Sequence, residues 1–377
     1  MSSNTLRFLY HEQWLGISTL TSLTDENLPP QIQKMEEFVN AKCQAITADS
    51  LNHQFVPDPE DRNRIAISAK NLGLSLSWVN DIEDFRYQKD EHTYSKLGYI
   101  LIRIRIKDVP DPNFRLNLIR PQYLQQIIFG FWFSLIKEFR GDFLLDEKTV
   151  PYAFSVCSEV DPHTDIVWTQ AMIKTHKREI GDWCELYSGQ FPDYHDQLYD
   201  RRIASNLSNR TSEMHFVQRN SALLFMQPEN YANYFVKDKF TPNSTGYMFN
   251  TVIKTVMQIR NIGFALVLVN SEIDIDTAQL TSPEFKEKDP TLIKDDLEKT
   301  TRLKMILQRT LAPFFTDLSR SHRQHYHTLL QHCVTLYDIE KNWQMLSDKL
   351  ESNTQGLNSI FLEKQEEASE RQEKNMF

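Results

Sequence analysis

Glycine is scarce in this chain, with 10 in 377 residues. Neither the G-x-x-x-x-G-K-[ST] phosphate loop nor the G-x-G-x-x-G dinucleotide turn occurs, which excludes two common glycine-built nucleotide cradles. Cysteine is also sparse. Cys43, Cys157, Cys184 and Cys333 stand far apart with no C-x-x-C pair, so they read as four reduced thiols in a cytosolic protein. In that setting the sequons at Asn206, Asn209 and Asn243 carry no weight. G-x-S-x-G, H-E-x-x-H and the H-x-E with P-C-x-x-C pair are all missing, which points away from an enzyme. Met-Ser-Ser-Asn-Thr at the start has no basic and apolar leader. No window reaches the roughly 18 apolar residues of a membrane span, and the best run is Ile262–Val269. The chain as given reads as soluble. Its net charge of -9 disfavours a dedicated nucleic-acid binder.

What is present describes a folded protein. Hydrophobic residues make up 40% and charged residues 25%, enough for one large domain with an extension or for two domains. Alternation predicts strands at 64–68, 74–78 and 97–107. In the last of these Ile100, Ile102, Ile104 and Ile106 face one way while Arg103, Arg105 and Lys107 face the other. Pro110-Asp-Pro112 closes it. A strongly apolar helix is expected over 121–139, with Pro121 in its first turn. Further strands are expected at 152–156, 166–168 and 214–226.

After Pro228 helical spacing takes over. It is broken at 241–246, by a charged loop over 282–290, and near Pro313. The fold class is therefore mixed, α+β or α/β. Three segments are expected: an α/β domain over 1–228, a helical region over 229–320, and one long helix over 321–377.

That helix carries a seven-residue step. Leu336, Trp343, Leu350 and Leu357 fall on one seam, and Ile339, Leu346, Asn353 and Ile360 on its companion. Two such seams point to self-association, with Asn353 fixing register. The competing reading is packing on the molecule's own helices. The segment then becomes highly charged and reaches Asn375-Met-Phe377 with no stop signal. A continuation past Phe377 is the expectation.

An α/β front, two or three helices and a very long helix with a charged entry resembles the cytosolic part of the CorA family of divalent-cation channels. In that family the stalk helix runs into the membrane and lines a pentameric pore. The resemblance implies a homo-oligomer, pentameric by family, at the cytoplasmic face of the inner membrane. It also implies a membrane span beyond residue 377 and a pore entry at Asn375 and Met376. The family's Gly-Met-Asn signature follows the first span and does not occur here. One branch of CorA-like proteins, associated with type III CRISPR antiviral defence, is thought to respond to a nucleotide second messenger, a SAM–AMP conjugate. The resemblance thus leaves magnesium and a nucleotide messenger as candidate ligands, with no cofactor certain. A soluble coiled-coil interaction protein is the competing class.

Candidate binding residues fall in three groups. Arg103, Arg105 and Lys107, with Arg219 elsewhere, have the chemistry of an anion site, because the arginine fork donates two parallel hydrogen bonds. A solvent-facing sheet surface would look the same. Asp274 and Asp276, read as an extended D-x-D loop, would offer two carboxylates to a hard cation; plain solvated surface is the alternative. His322, His325, His327 and His332 cluster on one helix. Zinc sites draw ligands from more than one element and orient them with further partners, so this cluster reads as a solvated, pH-sensitive face.

Overall fold

Alternation of isoleucine with arginine gives residues 97–106 two chemically different faces, and the sheet is built around that strand. The computed structural model describes residues 7–51, 53, 56–89, 91–106, 121–145, 151–161, 167–184, 196–227, 248–280 and 324–376, with scattered positions between 293 and 316. Six strands form one sheet in the order β2-β3-β1-β4-β6-β5. They are β1 (Arg7–Thr21), β2 (Leu72–Lys89), β3 (His92–Ile106), β4 (Tyr152–Asp161), β5 (Met214–Val217) and β6 (Ser221–Phe225). Among the described residues only the β4–β6 pairing is parallel. Helices are α1 (Leu28–Ala45), α2 (Pro59–Lys70), α3 (Pro121–Phe139), α4 (Gln170–Thr175), α5 (Lys177–Trp183), α6 (Asp196–Arg202), α7 (Lys254–Leu280), α8 (Gln324–Leu336) and α9 (Ile339–Met376). The chain is an α+β protein ending in a long helix, as the mixed periodicities imply.

Two compact units divide it: Met1–Gln258 with Arg323–Leu330, and Ile259–His322 with Gln331–Phe377. In the first unit one sheet face carries Leu15, Ile17, Leu74, Ile100, Ile102 and Ile104 against the apolar stripes of α1, α2 and α3. A second core lies under β4, β5 and β6, where Cys157, Phe216 and Leu223 meet Ile173 of α4 and Ile180 of α5. All four cysteines are free and buried. Burial pushes the Cys43 and Cys333 thiols up to about 12.

The outer strand β2 is shielded by α1. Asn40 donates to the Leu74 carbonyl at 2.9 Å and accepts its N–H at 3.3 Å, while Glu36 accepts the Leu76 N–H at 2.7 Å. These side chains occupy edge groups that would otherwise template another strand. Between β2 and β3, Gly98 marks a close approach. A Cβ there would clash with the Val79 carbonyl oxygen and lie 2.6 Å from Trp78 Cζ2. Val79 is held in the ladder opposite Tyr99, so its backbone has little freedom to yield. Gly98→Ala is expected to cost about 1–3 kcal/mol, measured as a lower urea midpoint at unchanged m-value.

Several expectations are corrected. Residues 64–68 lie in α2, not in a strand. Asp58 caps its start by accepting the Glu60 N–H at 2.8 Å, Pro59 opens the first turn, and Ile65, Ala66 and Ala69 share the buried side. The run 214–226 is a hairpin, β5 and β6, closed by Gln218 N–H donating to Ser221 O at 2.8 Å. Val167 and Trp168 are not strand. The helix expected from residue 321 is two helices. Asp338 between them has φ 51°, a left-handed geometry that aspartate tolerates and that ends a helix.

The breaks expected at 241–246, 282–290 and Pro313 lie outside the described residues, as does Lys107. One described helical stretch, Thr251–Ser271, is long and apolar enough to cross a membrane by length and composition, where the eight-residue run had suggested none. It is 61% buried within the structure, as a core helix is.

Candidate functional site

The sheet face opposite α1–α3 carries the proposed anion residues. Arg103 pairs with Trp14 across β3 and β1, and its guanidinium carbon lies 4.8 Å from the Trp14 ring centroid. Trp14 is itself packed on Phe249 at 5.6 Å. Arg105 follows two residues on, facing the same side, exposed, in register with Glu12 of β1. Arg219 is not part of this pair. It lies in the turn between β5 and β6, and β6 is three strands from β3, roughly 14 Å at the usual spacing. The structure therefore brings Arg103, Arg105 and an indole together and leaves Arg219 apart.

The D-x-D pair is corrected. Asp274 and Asp276 lie in helix α7, not in the extended loop expected. Asp274 is engaged otherwise: Lys349 of α9 donates to its Oδ1 at 2.7 Å and to Asn270 Oδ1 at 2.8 Å. Among the described residues no group of three or more His, Cys, Asp or Glu side chains is placed to hold a metal ion.

The seam residues are covered within the single chain. Ile339, Leu346, Leu350, Asn353 and Leu357 are buried, while Leu336, Trp343 and Ile360 are half-buried. Leu336 closes α8 rather than sharing a helix with Ile339. Within the second unit Ile339 approaches Gly263 of α7, and Leu357 forms a cluster with Ile293, Ile360 and Phe361. From Leu362 to Gln372 α9 is almost wholly exposed. Asn375 and Met376 fall in its last turn.

One constellation was not singled out from the sequence. His215 of β5 is buried on the face opposite the second core, and His325 of α8 packs on it, Nδ1 to Nε2, at 3.2 Å. Behind His215, Glu213 Oε2 lies 3.6 Å from Nε2, and Arg210 Nη1 lies 3.5 Å from Glu213 Oε1. Backbone bonds pin the strand: His215 N–H donates to Asn206 Oδ1 and Leu207 N–H to His215 O, both at 2.9 Å. Burial drives the His215 imidazole down to about 3, helped by His325 and Arg210, and lowers His325 as well. At neutral pH both rings are neutral. His325 thus belongs to a contact between helix and sheet rather than to a solvated helix face. The local signal was Glu213-Met-His215, two polar groups two apart entering an apolar strand.

The fold and these sites define an α+β chain with a sheet-borne arginine–tryptophan pair and a buried histidine pair. No family model, curated protein or solved structure matches it.

Proposed function

We propose that this chain is the ligand-sensing and gating portion of an oligomeric membrane channel of the CorA type. The observation that supports the reading is α9. Its first half buries one stripe within the chain, Ile339, Leu346, Leu350, Asn353 and Leu357, and from Leu362 to Gln372 it presents charge to solvent on nearly every side, the layout of a stalk helix. A ligand that binds the α+β unit more tightly in one arrangement shifts the helix equilibrium by its differential affinity, and no further.

Arg103 and Arg105 favour a nucleotide messenger over magnesium. Two guanidinium forks suit phosphate, and the buried Trp14 ring under Arg103 helps hold that guanidinium on the sheet face. Calorimetric titration with a SAM–AMP conjugate and, separately, with magnesium tests this on the purified protein, alongside ion flux in cells expressing the native reading frame. Saturable messenger binding is expected. The double charge reversal Arg103→Glu, Arg105→Glu should weaken it at least about tenfold, since each charge-assisted hydrogen bond contributes about 1.5–3 kcal/mol. Magnesium binding alone would move the reading to an ordinary divalent-cation transporter. Binding of neither ligand, with no flux, would remove the gating reading.

A further inference from the structure

We infer that His215 and His325 form an open two-imidazole site for a borderline divalent cation of the zinc class, with Glu213 as the carboxylate behind it. The site is independent of the channel reading and does not use the arginine face.

Geometry carries the inference. Two nitrogens each bonded to zinc at 2.0–2.1 Å in a tetrahedral arrangement lie about 3.3 Å apart. His215 Nδ1 and His325 Nε2 are 3.2 Å apart. The ring centroids are 5.2 Å apart with planes inclined at 57°. Two imidazoles lying end to end about such a contact would place their centroids farther apart, so the rings are bent toward one side. The two ligands come from different elements, an edge strand and a helix, which the helix cluster alone could not provide.

The surroundings match what imidazole ligands require. A ligating histidine usually directs its other ring N–H to a carboxylate, which fixes the tautomer and raises the basicity of the bound nitrogen. Glu213 Oε2 is the carboxylate oxygen facing that nitrogen of His215, at 3.6 Å, just beyond hydrogen-bond length. Arg210 lies against the same carboxylate, balancing its charge. His215 and Glu213 are buried, whereas His325 is half-buried, so an ion has a route in along the helix side. With two protein ligands, water completes the coordination sphere. That arrangement leaves positions where a further donor can bind.

Metal-free full-length chain titrated with zinc chloride in a calorimeter tests the site, with magnesium chloride as the control cation. One saturable zinc per chain is expected, with no heat from magnesium at the same concentrations. His325→Ala should lower zinc affinity at least tenfold. Glu213→Gln should lower it about 10–100-fold while keeping the stoichiometry. His327→Ala, on the same helix, should leave it unchanged. Circular dichroism confirms that each variant folds, and His325, being half-buried, is the safest to truncate. Absence of saturable zinc binding in the wild type would overturn the site and leave the pair as a neutral N–H···N hydrogen bond. Zinc binding that survives His325→Ala unchanged would overturn it equally.

Discussion

Acidification from pH 6.5 to 4 is expected to destabilise the first unit by about 1.4 kcal/mol per pH unit for each buried histidine that must take up a proton. The sign follows from His215. Its folded pKa is depressed from 6.5 to about 3, so between those values the unfolded chain holds a proton that the folded chain refuses. Stability therefore rises with pH through this window, is complete above 6.5, and is lost as pH falls toward 3. Burial is the leading cause, and an imidazolium formed at this position would also face His325 and Arg210. Glu213 at 3.6 Å from Nε2 offsets part of that cost, because an adjacent carboxylate favours the cation. His325 shifts in the same direction through its own burial. Urea unfolding at pH 7, 6, 5 and 4 with a chelator present measures it. The slope should be shallower by about one proton in His215→Gln, where no ring remains to titrate. Equal slopes in wild type and variant would show that other groups govern the acid limb.

The parts of the fold legible in the sequence were those where one periodicity had no rival. Residues 97–106 alternate because β3 buries its isoleucines under α1–α3, and 121–139 keep a helical step because α3 packs along one stripe. β1 escaped notice although it lies inside the sheet. A strand covered on both faces reads as a mixed apolar run with no clean alternation. Leu15 and Ile17 point into the helical core while Gly16, opposite them, meets Met257. The misreading of 64–68 came from the same ambiguity. Arg-Ile-Ala-Ile-Ser alternates, yet Ile65 and Ala69 also sit four apart, and the Asp58-Pro59 start signal decides for helix.

Of the candidate sites, Arg103 and Arg105 were readable because β-strand geometry alone puts them on one face. The aromatic partner was not, since Trp14 lies on a strand 89 positions earlier whose pairing is set by the whole sheet. The histidine pair was hidden for the same reason. His215 and His325 are 110 positions apart, and the sequence over 321–377 reads as one unbroken helix. The backbone reversal at Asp338 separates α8, which carries His325, from α9, which carries the seam.

Leu350→Ala is expected to destabilise the second unit by about 2–5 kcal/mol, the range for truncating a fully buried leucine. Leu350 is 0% exposed in the single chain, as is Ile339, and Leu346 is 1% exposed. Next to Leu350, the Lys349 bonds to Asn270 and Asp274 fix which side of α9 lies along α7. The seam is thus filled by the chain's own side chains, and a seven-residue step alone cannot distinguish that from a coiled coil, because a helix packed on neighbouring helices needs nearly the same stripe. Mass action separates the two. If the seam is internal, the loss in Leu350→Ala is the same at low and high protein concentration, and the wild-type melting temperature does not move with dilution. If the seam also joins subunits, wild-type melting rises with concentration and the variant loses that dependence. Any subunit contact of the proposed channel would then have to use surfaces other than Ile339, Leu346 and Leu350 in the first case, and would compete with the internal packing of α9 in the second. Thermal melts of wild type and Leu350→Ala over a hundredfold range of concentration decide between them.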